Sequence, residues 1–183
     1  MTTPATTPRP HGFPWRIGAW IVGAAVLAAP LIAMRFTEEV DWTASDFVFA
    51  AVLIFGSLGI YEAAARLARS LAYRAGAALS VITAFLLIWS NLAVGIIGDE
   101  GNPLNLIFWG VLAVLVFGAI AVNFRARRMA WVLTATAAAQ FACALIALVD
   151  GVYIMILTAV FAALWLTAAR LFKRAADEAE KAV

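Results

Sequence analysis

Ser90–Gly110 reads SNLAVGIIGDEGNPLNLIFWG. The chain is apolar for a helix length on either side, yet this stretch gathers Asn91, Asp99, Glu100, Asn102 and Asn105. Gly98–Gly101 supply a turn. Asn102-Pro103 suits an N-cap followed by proline at the first helical position, where a missing N–H costs nothing. The stretch therefore reads as a hairpin between two apolar helices, and it sets the parity of the whole threading.

Working outward, a spanning helix needs about 20 mostly apolar residues at 1.5 Å rise each. Six stretches qualify: Ile17–Met34, Phe47–Leu67, Ala75–Ile97, Leu104–Val122, Ala130–Val149 and Val152–Phe172. Their flanks alternate in sign. Arg9 and Arg16 precede the first span; Glu38, Glu39, Asp41 and Asp46 follow it. Arg66, Arg69 and Arg74 separate spans two and three, Asp99 and Glu100 separate three and four, and Arg125, Arg127 and Arg128 separate four and five. Asp150 lies in the short link before the last span, and Arg170, Lys173 and Arg174 lie at its end. Basic loops stay in the cytoplasm, so both termini are expected inside, with Arg35 the one basic residue outside. Five spans would push one of the two last basic clusters outward.

The expected fold class is thus all-α, a polytopic bundle of six transmembrane helices, N-in and C-in. Residues 1–16, rich in Thr and Pro, read as a disordered cytoplasmic tail; 17–172 form the membrane domain, and 173–183 extend the last helix into the cytoplasm. There Asp177 and Lys181 are ordered for an i,i+4 pair. The first span has a basic flank like a signal peptide, but Pro30 and continued hydrophobicity through Met34 favour its retention. Thr43 with Asp46 resembles a capping box, with Asp in place of the usual Glu or Gln. Asp46 also complements the positive end of the second helix.

Composition agrees with this reading. Of 183 residues 65% are hydrophobic and 13% charged, against roughly half and a quarter in a soluble domain. Lipid must solvate part of that surface. A net charge of +2 raises nucleic acid as a partner, but the basic residues fall in short groups between apolar runs, with no basic stripe to contact phosphates. No nucleic-acid partner is expected.

PLIAMRFTEEVDWTASDF (Pro30–Phe47), GSLGIYEAAAR (Gly56–Arg66) and NLAVGIIGDEGNPLN (Asn91–Asn105) together resemble a family of small, uncharacterised bacterial multi-pass membrane proteins. Forms such as FT-EV-W--DF, YELAAR and NLAVGIIG-E-NP recur there. The likeness runs from about Leu27 to Phe124, and Ala63 stands where the family pattern has Leu. The resemblance implies a bacterial inner-membrane protein and implies no reaction.

Catalytic constellations are sparse. The single histidine, His11, lies in the tail, so a His-based metal site, bis-His haem and a Ser-His dyad each lack a member. Gly56-Ser57-Leu58-Gly59 falls short of a nucleophile elbow. One cysteine, Cys143, excludes an intramolecular disulfide and reads as a core thiol. No enzyme activity and no cofactor or metal are expected.

The candidate sites are polar groups in apolar surroundings. Glu62 lies about 22 Å along the second span, inside the slab near its cytoplasmic side. It is either an intramembrane functional carboxylate or an interfacial partner of Arg66, Arg69 or Arg125. Asn91 and Asn105 fall at one depth, as a structural clasp or as part of a ligand or partner cluster with Asp46, Asp99 and Glu100. Gln140 sits about 15 Å from Ala130 and needs a protein partner, or it lines a pore. Thr134, Ala135, Ala138, Ala139, Ala142 and Cys143 give the fifth span small residues for close packing, as do Gly56-x-x-Gly59 and Gly95-x-x-Gly98. Trp15, Trp42 and Trp131 fall at interfaces.

Two functional readings follow. One is a non-enzymatic accessory component whose loops meet a membrane-protein partner or a second copy. The other is a small transporter or channel for a cation or small solute. The threading is tested by reporter fusions at Glu100 and Asp150: both are expected to report the outer face, and a cytoplasmic signal at either breaks the six-span arrangement.

Overall fold

The computed structural model describes residues 14–68, 70–99, 101–146 and 152–182. Helices α1 (Pro14–Ala33), α2 (Ala44–Leu67), α3 (Leu71–Ala93), α4 (Ile107–Ala121), α5 (Ala126–Ile146) and α6 (Val152–Lys181) account for most of these residues. A 3-10 turn over Pro103–Leu106 leads into α4. Six helical stretches among the described residues are long and apolar enough to cross a membrane, the fourth counted from Pro103 through that turn. Glu100 and Asp150 lie outside the described residues, as does the tail through residue 13.

The chain divides into two compact units that meet within α2, between Leu58 and Gly59. In the first, Trp20 of α1 stacks on Phe55 of α2 with ring centroids 5.7 Å apart. A Cβ on Gly23 would lie 3.0 Å from Ile54 Cγ2, so the bare backbone is what permits this approach. The start of α2 is a complete capping box. The Asp46 amide donates to Thr43 Oγ1, while the Thr43 amide and hydroxyl donate to Asp46 Oδ2, each at 2.7 Å. Trp42 also packs on Phe47, ring centroids 5.3 Å apart, which is the hydrophobic staple that fixes the entering chain.

The second unit holds the end of α2 and helices α3 to α6. Its core runs through Leu87, Phe108, Leu133, Phe161, Trp165 and Phe172. Two glycines set its closest contacts. Opposite Gly118 lies Val132, whose Cγ1 would stand 2.7 Å from an added Cβ, and opposite Gly76 lies Phe172 at 2.9 Å. The α4–α5 turn puts Asn123 at φ 52° and Phe124 at φ 55°. That conformation is awkward for phenylalanine. Tyr73 holds it in place: its hydroxyl donates to the Phe124 carbonyl across 2.8 Å.

Several boundaries differ from the sequence reading. α3 ends at Ala93 rather than Ile97, because Gly95 turns the chain at φ 75°. The proline-led start of the fourth span forms the 3-10 turn before the α-helix. α1 begins at Pro14, three residues early, with proline in the first turn where it is tolerated.

Packing assignments change as well. Gly56 and Gly59 have no atom within 4 Å of an added Cβ, so they are not a close-packing pair. Gly95 and Gly98 both have positive φ and serve the turn. On α5 the small residues Thr134, Ala135, Ala138 and Ala142 are exposed, Ala139 is half-buried, and Cys143 is buried on the side that also holds Met129, Leu133, Thr136 and Gln140. Its exposed side also carries Trp131 and Phe141, and the tight approaches to α5 and α6 are made by Gly118 and Gly76 of the neighbouring helices. Asp177 pairs with Arg127 on α5 at 3.0 Å instead of Lys181 along its own helix.

Gly118→Val is expected to destabilise the protein by about 1–3 kcal/mol, since Val132 is β-branched and has little freedom to move aside. Gly110→Ala, with open space at its Cβ position, is expected to be neutral or slightly stabilising. Thermal unfolding in detergent compares the two directly.

Candidate functional site

The polar stretch after α3 is organised by one side chain. Asn105 is 4% exposed, and its amide uses both ends twice. Oδ1 accepts the Ile96 and Ile97 amides at 3.0 and 2.8 Å, while Nδ2 donates to the Ile97 and Asp99 carbonyls at 3.2 and 2.7 Å. An asparagine side chain has two donors and two acceptor positions, so this one is saturated. Asn91, from the last turn of α3, donates through Nδ2 to the Asn105 carbonyl at 3.1 Å. The two asparagines do meet across the hairpin, and their bonds run to backbone.

The loop exists in this form because Ile96 and Ile97 are buried, at 2% and 0% exposure. Buried isoleucines drag their amides out of water, and a buried amide needs an acceptor. Asn105 Oδ1 provides it. The remaining loop residues bond locally. Asp99 Oδ1 accepts the Gly101 amide at 3.0 Å, and Asn102 Oδ1 accepts the Leu104 amide at 2.9 Å. Asp46 is engaged in its capping box. Among the described residues no group of three His, Cys, Asp or Glu side chains is placed to hold a metal ion.

Glu62 meets Arg66 one turn along α2, with Nη2 donating to Oε1 at 2.7 Å. The arginine side chain is 72% exposed and the glutamate 21%. A pair of this kind in water contributes only about 0.3–0.5 kcal/mol.

Deeper in the bundle, Ser80, Thr83 and Thr136 return their hydroxyls to carbonyls four residues earlier on their own helices. Gln140 behaves differently. It is 0% exposed, and neither amide atom has a hydrogen-bond partner, so the interhelical bond expected of it is not made. Asn91 Oδ1, Thr158 Oγ1 and Trp165 Nε1 share that condition. Thr158 and Trp165 escape notice in the sequence because they lie within a long apolar run. Their seven-residue spacing, two helical turns, is the signal that places them on one face.

No family model matches the chain, and neither does any curated protein or solved structure. The functional reading therefore rests on the geometry.

Asn105→Asp keeps the shape but sets carboxylate oxygens against the Ile97 and Asp99 carbonyls. It is expected to cost about 3 kcal/mol or more, since buried groups lose their partners. Asn102→Ala removes one exposed cap and is expected to cost about 1 kcal/mol. Denaturation of both variants in one detergent ranks them; equal losses would show that Asn105 is not the organiser.

Proposed function

We propose that this chain is a non-enzymatic accessory component of a bacterial inner membrane, threaded with both termini in the cytoplasm. Six apolar helices fit an integral membrane protein, and the alternating flanks support the orientation. The resemblance of the Leu27–Phe124 region to small bacterial multi-pass proteins supports the compartment.

The observation that carries the accessory reading is the far end of α6. This helix has 30 residues, about 45 Å, against an apolar slab of about 30 Å. Its last turns are braced to α5: Arg127 reaches Asp177 at 3.0 Å and Glu180 at 2.7 Å. Arg174 pairs with Glu178 along the helix at 2.9 Å. Arg125, Arg128, Arg170 and Lys173 stay exposed around this extension. The result is a stiff, charged cytoplasmic projection, a surface suited to a membrane-protein partner or a second copy. Asp46, Asn91, Asp99 and Asn105 already serve the fold.

The second reading is a transporter or channel for a cation or small solute. The ion pair of Glu62 with Arg66 speaks against Glu62 as the coupling carboxylate. The buried amide of Gln140 is what favours a neutral solute.

The two readings part in one experiment. Under the accessory reading, purified protein in proteoliposomes shows no solute or cation flux, and Arg128→Glu with Lys173→Glu abolishes co-purification of a stoichiometric partner while leaving the melting temperature unchanged. Flux that disappears in Glu62→Gln overturns it.

A further inference from the structure

The four unpartnered polar groups fall into a register. Antiparallel contacts fix the levels of the helices. Asn91 with Asn105 and Tyr73 with Phe124 set α3 against α4. Gly118 with Val132 and Cys143 with the Ile107 carbonyl set α4 against α5, and Gly76 with Phe172 sets α3 against α6.

Counting along the helices from these anchors at 1.5 Å per residue puts Thr158 about 1.5 Å below Asn91. Gln140 follows about 5 Å further on, and Trp165 about 5 Å beyond that. All four are at most 6% exposed. Helical side chains lean toward the N-terminus of their own helix. In antiparallel neighbours this tilts Asn91 toward Thr158 and brings Gln140 and Trp165 toward each other.

We propose that Asn91, Thr158, Gln140 and Trp165 line a buried polar track that binds water molecules, running from the α3–α4 hairpin about 12 Å into the core between α3, α5 and α6. The track offers acceptors at Asn91 Oδ1 and Gln140 Oε1, donors at Gln140 Nε2 and Trp165 Nε1, and both at Thr158 Oγ1. Mixed donors and acceptors suit a neutral guest that can both give and take hydrogen bonds. Among the described residues no charged side chain is buried, so an ion would enter without a counter-charge. The steps of about 1.5–5 Å between levels lie within the reach of a single water that makes two bonds of about 2.8 Å. A buried water needs two to four polar partners, and successive pairs along the track provide them.

The test is water contact at the Trp165 indole. Deuterated protein carrying ¹⁵N-tryptophan is placed in lipid nanodiscs, and magnetisation transfer from water to the indole N–H protons is recorded. Trp165→Phe assigns the signal. Transfer to the Trp165 indole is expected, reduced at least about threefold in the Gln140→Leu, Thr158→Val double variant. A Trp165 indole that receives no transfer, while the 73% exposed Trp131 does, shows a dry core and overturns the proposal. So does transfer of undiminished size in the folded double variant, because the water would then not be held by these residues.

Discussion

In an apolar medium every backbone N–H and C=O must find a partner within the protein, because lipid offers none. That constraint shapes each part of this molecule. Within the helices it is met automatically; at their ends it is not, and each end has its own solution. The start of α2 is closed by the Thr43–Asp46 box, and that of α3 by Ser70, whose hydroxyl accepts the Tyr73 amide at 3.2 Å. Between α3 and α4, Asn105 pairs two amides and two carbonyls of a buried loop. The tight α4–α5 turn is held by Tyr73 from another helix.

Polar residues that look like a ligand site in sequence are therefore mostly the means by which the loop is folded. Asn91 and Asn105 could be placed at one depth by counting residues, and the hairpin by its glycines and Asn102-Pro103. What counting does not supply is the direction of the bonds. Asn105 turns to the backbone of Ile96, Ile97 and Asp99 because those isoleucines are buried, and burial is set by packing from several helices together. The same holds for Glu62, whose depth is legible but whose pairing with Arg66 depends on rotamers and neighbours.

Packing was the least legible level. Small residues on α5 look like a close-contact face, yet the close contacts come from Gly118 and Gly76, each opposite a side chain distant in sequence. A small residue permits approach without requiring it. Likewise Thr158 and Trp165 sit in an unbroken apolar run, and their buried polar atoms join Gln140 only once the register of α5 on α6 is known.

The sequence by itself determined six apolar helices, their order, the placement of charge at their ends and the capping chemistry of α2 and of the 3-10 turn. These depend on composition, periodicity and neighbours within four residues. Tertiary structure alone decided which face of each helix is buried, which polar groups are satisfied, and which stay without a protein partner in the core. Those outcomes depend on contacts between residues from eight to about a hundred positions apart, and local sequence carries no record of which helices meet.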